Sequence, residues 1–105
     1  MNIKNAQPII IHNLRMLPDC RKIYYKEKQI FFTGTEYDVL ERLAKQPGRV
    51  FTKAQILQTA GSEDPQDEDN AVRCLIAGIR KKLRKYTNKE YIQTVRGVGY
   101  RFEIA

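Results

Sequence analysis

Six consecutive residues, Arg80-Lys81-Lys82-Leu83-Arg84-Lys85, carry five cations. Side chains of that kind neutralise polyanions, above all phosphate oxygens. Just upstream, Asn70, Arg73, Cys74, Ala77 and Gly78 mix short side chains with one more guanidinium. Bond-making chemistry finds fewer candidates. His12 is the one histidine, and Cys20 and Cys74 lie far apart. No nucleophile–base pair or zinc-ligand spacing can be read, so neither an enzyme, a metal site nor a cofactor is expected. The run from Glu63 to Asp69 holds five anions. It stands too close to a helix start to be more than a cap and a loop.

Acid before an apolar-periodic stretch and base after it complements a helix dipole. The pattern predicts a helix over 67–86. At about 100° per residue, Val72, Ile76, Ile79 and Leu83 form one stripe, with Leu75 beside it. That stripe must pack inward. The opposite face carries Asn70, Cys74, Ala77 and Lys81. Arg73 and Arg84 flank it on one side, Gly78 and Lys85 on the other, and Arg80 lies nearer the core boundary.

Two readings of this helix compete. A well-capped helix with a solvated face has the same charge pattern. A helix that enters the major groove of duplex DNA needs small residues that let its backbone approach base edges, and cations at its rim for phosphates. Gly78, which costs about 1 kcal/mol in a helix interior, hints at close approach. The end of the chain favours DNA. Arg96 stands before Gly97-Val98-Gly99, between a strand at 91–96 and an alternating strand at 100–104. An arginine on such a hairpin can enter a minor groove. These glycines are not a nucleotide loop, because a strand follows them rather than a helix.

The elements that position these residues are also legible. Short β-branched and aromatic runs at 9–11, 14–17, 22–25 and 29–32 predict a small antiparallel sheet, with turns at Pro18-Asp19 and 26–28. Thr33-Gly34-Thr35-Glu36 and Thr52-Lys53-Ala54-Gln55 are capping boxes that open two helices. Pro47-Gly48 closes the first, and the second ends near Gly61. The 105 residues fit one domain, here 8–105, with 1–7 as a polar tail or linker. A net charge of +7, 42% hydrophobic and 30% charged residues indicate a globular chain with an anionic partner. No apolar run approaches the roughly 20 residues of a membrane span, and the start has no secretory h-region. Two separated cysteines fit reduced thiols in a cytoplasmic protein.

Four segments then carry a resemblance: Thr33 to Leu40, Pro47-Gly48-Arg49-Val50, Ile79 to Leu83, and Thr94-Val95-Arg96-Gly97-Val98-Gly99-Tyr100-Arg101-Phe102. In order and spacing they resemble the OmpR/PhoB-type winged-helix DNA-binding domain, the effector domain of two-component response regulators. The resemblance implies an α+β winged helix-turn-helix: a four-stranded N-terminal sheet, three helices and a C-terminal hairpin wing. It implies double-stranded DNA as partner, with the third helix in the major groove and the wing, 96–100, in the minor groove. Arg80, Thr94, Arg96 and Tyr100 match the family, so its backbone and wing contacts carry over there. Asn70, Arg73, Leu75 and Gly78 stand where the family usually has arginine, aspartate, histidine and arginine. There the positions carry over and the contacts do not. Ala60 replaces a usual tryptophan, and Gly34 a usual proline. Arg73 is expected to replace lost charge, and Cys74 to touch a thymine methyl.

The resemblance further implies that the loop 61–66, with Glu63, Asp64 and Gln66, touches RNA polymerase, and that copies bind head to tail on direct repeats. A receiver domain would need about 120 further residues, so an N-terminal receiver is expected if this is an excised effector domain. Two alternatives stand beside this. One is the cytoplasmic winged-helix domain of a membrane-anchored activator, itself making no membrane contact. The other is a winged-helix protein-interaction module that has lost DNA binding.

Overall fold

The computed structural model describes residues 7–61 and 68–104. They fall into two compact units, up to Phe31 and from Phe32 onward.

The first unit is an antiparallel meander in the order β1 (Ile9–Ile11), β2 (Leu14–Leu17), β3 (Lys22–Tyr25) and β4 (Lys28–Ile30). His12 and Asn13 make the first hairpin with φ of 45° and 71°. That double left-handed geometry matches strand twist and suits asparagine. Period-2 alternation puts Leu14, Met16, Ile23 and Ile30 on one face, all buried. The other face pairs Arg15 with Tyr24, the guanidinium 4.9 Å from the ring centroid. The fourth strand was expected over 29–32. Its ladder ends instead at Ile23↔Ile30. The chain then leaves the sheet to reach a helix cap, and Phe31 is left exposed.

The second unit holds α1 (Gly34–Lys45), β5 (Phe51–Thr52), α2 (Lys53–Thr59), α3 (Glu68–Arg84), β6 (Ile92–Val95) and β7 (Gly99–Phe102). Both capping boxes form: Thr33 with Glu36, and Thr52 with Gln55. The three helices pack on one another around Leu40, Leu43, Ile56, Val72, Ile76 and Ile79, while the rings of Tyr91 and Phe102 pack at a tilt of 42° with centroids 5.8 Å apart. Arg42 joins α1 to α2 by donating to the Gln55 carbonyl and the Thr59 hydroxyl.

The hairpin is larger than the two strands expected. The strand β5 adds to its edge, giving a sheet ordered β5-β7-β6. Two residues are too few to show alternation, so this strand leaves no period in the sequence. Gly99 makes the pairing possible, since a Cβ there would overlap the Phe51 carbonyl oxygen. Helix α3 ends at Arg84, two residues before the predicted limit; the amides of Lys85 and Tyr86 turn back to the carbonyls of Lys82 and Leu83. Its predicted first residue, Asp67, lies outside the described residues.

Candidate nucleic-acid interface

The four residues of the predicted stripe, Val72, Ile76, Ile79 and Leu83, are the buried residues of α3. Their burial turns Asn70, Cys74, Ala77 and Lys81 to solvent, and Arg73, Arg84 and Lys85 are exposed beside them. Cys74 and Ala77 therefore leave a shallow strip between polar ends. Within it the Cys74 thiol lies 4.0 Å from Asn70 Oδ1.

At the amino end of α3, Asp69 gathers two cations. Its Oδ2 accepts from Arg73 Nη2 at 2.8 Å, one helical turn on. Its Oδ1 accepts from Lys53 Nζ at the start of α2. The hydrogen bond and the charge of Lys53, with Arg73 adding to them, hold the Asp69 carboxyl below its ordinary 3.8. Sequence reading missed Lys53 as part of this face. Its place directly after the N-cap Thr52 was the available signal, since the first helix of a helix-turn-helix crosses the DNA backbone.

Arg80 is half-buried and turned to the wing. Its Nη2 donates to the Ile92 carbonyl at 2.9 Å and to the Thr94 hydroxyl at 3.0 Å, and its guanidinium stands 5.7 Å from the Tyr100 ring centroid. Tyr100 itself is only 7% exposed, so its ring belongs to the core. Thr94 is exposed, and two residues on comes the wing turn Arg96-Gly97-Val98, closed by Val98 N–H donating to the Val95 carbonyl at 3.0 Å. Gly97 takes a φ of 75°, which glycine adopts without strain. Arg96 at the tip is exposed.

Gly78, expected at the flank of the outer face, is half-buried, and it faces α1: a Cβ there would come within 2.9 Å of Glu36 Oε2, the end of a carboxylate side chain. Glu36 is buried. Its Oε1 accepts from the Thr33 amide at 2.9 Å and from Lys82 Nζ at 2.5 Å. Helical projection could not show this, because it places residues on their own helix and not against the neighbouring one.

The five-cation cluster thus divides. Arg80 holds the wing, Lys82 holds Glu36, and Arg84 lies 3.4 Å from Glu90. Lys81 and Lys85 have no carboxylate partner among the described residues, and the same is true of Arg96. Glu63, Asp64 and Gln66 lie outside the described residues. Among those described, no helix is long and apolar enough to cross a membrane.

A helix pair whose second member presents an open face, bonded through Arg80 to a three-stranded hairpin sheet, defines a winged helix-turn-helix. Residues 27–102 match the family described as "Transcriptional regulatory protein, C terminal", and the chain belongs to that family, of OmpR/PhoB type. It is a family of transcriptional regulators and not one of enzymes. Among curated relatives, the alkaline phosphatase synthesis transcriptional regulatory protein PhoP of Bacillus subtilis is 35% identical over 96 residues, covering 90% of this chain and 40% of that protein. The response regulator ArlR of Staphylococcus haemolyticus is 38% identical over 92 residues, covering 88% and 42%. The chain therefore spans about two fifths of the length of these relatives. The DNA-binding domain of Klebsiella pneumoniae RstA, solved in complex with the RstA box, superposes with a TM-score of 0.81 at 25% identity, covering 93% of this chain and 98% of that one. The DNA-binding domain of the response regulator AdeR, solved in complex with an intercistronic region, gives 0.81 at 26% identity, covering 90% and 97%.

Proposed function

We propose that this domain binds double-stranded DNA in a sequence-specific way and serves as the effector part of a two-component response regulator that controls transcription. The observation that carries this reading is the bonding of Arg80 to Ile92 and Thr94, which joins the open face of α3 to the wing. Helix α3 lies in the major groove, with Asn70, Arg73, Cys74 and Ala77 toward base edges. Lys81 approaches phosphates, with Arg84 beside it, and Thr94 does so at the margin. Arg96 enters the adjacent minor groove. Arg80, Tyr100 and Gly78 act behind these contacts by holding the helix and wing in place.

Relatives more than twice as long support a receiver domain preceding this one in the whole protein. A cytoplasmic site of action belongs to the same reading. The acidic composition of residues 61–66 supports a contact with a basic polymerase surface: charge reversal at Glu63 and Asp64 then abolishes activation and spares DNA binding. Head-to-tail pairing on DNA predicts a tandem repeat.

Selection of bound sequences from a random duplex pool, followed by a salt titration on the winner, tests the reading. Enrichment of a defined site, with log affinity falling by about 0.9 per phosphate contact against log salt, is expected. A chain that enriches nothing and shows no salt dependence is instead a protein-interaction module.

A further inference from the structure

Arg73 is the first cation of α3 and lies on its exposed side, next to Cys74. Its surroundings are unusual for a residue that only supplies charge. The side chain is 69% exposed, yet its orientation is held by Asp69 one turn earlier on the same helix. Asp69 is in turn held from α2, by Lys53 on its other oxygen. One carboxylate thus links the two helices and grips one nitrogen of the guanidinium fork. A guanidinium has five N–H donors in a fixed plane, so with one engaged by Asp69 the others keep a fixed geometry relative to that bond.

We propose, on the basis of the DNA-binding reading above, that Arg73 reads a guanine in the major groove and that Asp69 aims it. Two arguments favour a base over a phosphate. A carboxylate at 2.8 Å repels an approaching phosphate and does not repel the neutral O6 and N7 acceptors of guanine. A phosphate contact also gains little from a fixed orientation, whereas two parallel hydrogen bonds to one base edge require it. Position agrees, because recognition helices meet base edges near their amino ends and Arg73 lies in the first two turns of α3. The exposed Cys74 and Ala77 that follow let the helix sit deep enough for the fork to reach.

Selections from a random duplex pool with the wild-type domain, Arg73→Ala and Asp69→Asn test this, each variant first matched to wild type by circular dichroism. The wild-type site contains a guanine at one invariant position. Replacing that guanine weakens wild-type binding by about 5- to 150-fold, and Arg73→Ala becomes indifferent to it. Asp69→Asn keeps the charge of Arg73 but discriminates less at that position, while its binding to random DNA holds or rises. Three results overturn the assignment: a wild-type site without such a guanine, an Arg73→Ala variant that still demands it, or uniform weakening on all sequences with the salt slope reduced by about one, the mark of a phosphate contact. Full discrimination by Asp69→Asn overturns the aiming role. A wild-type domain that enriches no sequence defeats the DNA-binding reading itself, and this assignment with it.

Discussion

The two halves of α3 use charge in opposite ways. The carboxyl half is the densest run of cations in the chain, yet Arg80, Lys82 and Arg84 there are bonded within the domain. The amino half has one cation, Arg73, and leaves Asn70 and Cys74 exposed around it. Charge density therefore locates the helix with the open face, but not which of its side chains are left free on it. The dense half anchors the helix to α1 and the wing, and the sparse half is open to a partner.

The largest effect that can break this contrast belongs to Arg80. Arg80→Ala strips its partner from the buried carbonyl of Ile92 and from Thr94, and is expected to cost about 1–3 kcal/mol in urea unfolding. It also loosens the wing, so DNA affinity falls more than removal of one surface charge explains. Unchanged stability, with a loss of affinity like that of any phosphate contact, makes Arg80 a DNA residue after all. Next is Lys82→Met, which leaves Glu36 without its cation. A loss of about 1–2 kcal/mol is expected, below the figure for fully buried pairs because Lys82 remains partly in solvent. A double-mutant cycle with Glu36→Gln measures the coupling.

Lys81→Ala sharpens the contrast from the other side. Its unfolding is expected to stay within about 0.5 kcal/mol of wild type. Its DNA affinity falls alike on all sequences, with the salt slope smaller by about one. Arg96→Ala likewise spares stability and weakens binding chiefly at narrow A·T-rich minor grooves, as competition between A·T-rich and G·C-rich flanks can measure. The smallest effect is electrostatic. A carboxyl NMR titration is expected to place Asp69 below 3.8, and Lys53→Ala to move it upward. Because the folded value is the lower one, the stabilisation is present above 3.8 and fades as pH falls through the folded value.

Much of the fold is legible in local patterns. The stripe Val72, Ile76, Ile79 and Leu83, both capping boxes and three of the four N-terminal strands follow from period and cap chemistry, which act within a few residues. The fourth strand stops short because leaving the sheet for the Thr33 cap outweighs the β propensity of Phe31 and Phe32. The edge strand β5 is too short to show a period.

At the interface, sequence identifies the outward face and the wing arginine, because helical projection and a glycine turn are properties of contiguous residues. Tertiary structure alone decides that Gly78 faces Glu36, that Arg80 bonds to the wing, and that Lys53 and Arg73 share Asp69. Each of those contacts joins residues from different elements, or depends on a rotamer. A one-dimensional pattern records which groups are available, and only the packed chain determines which of them meet.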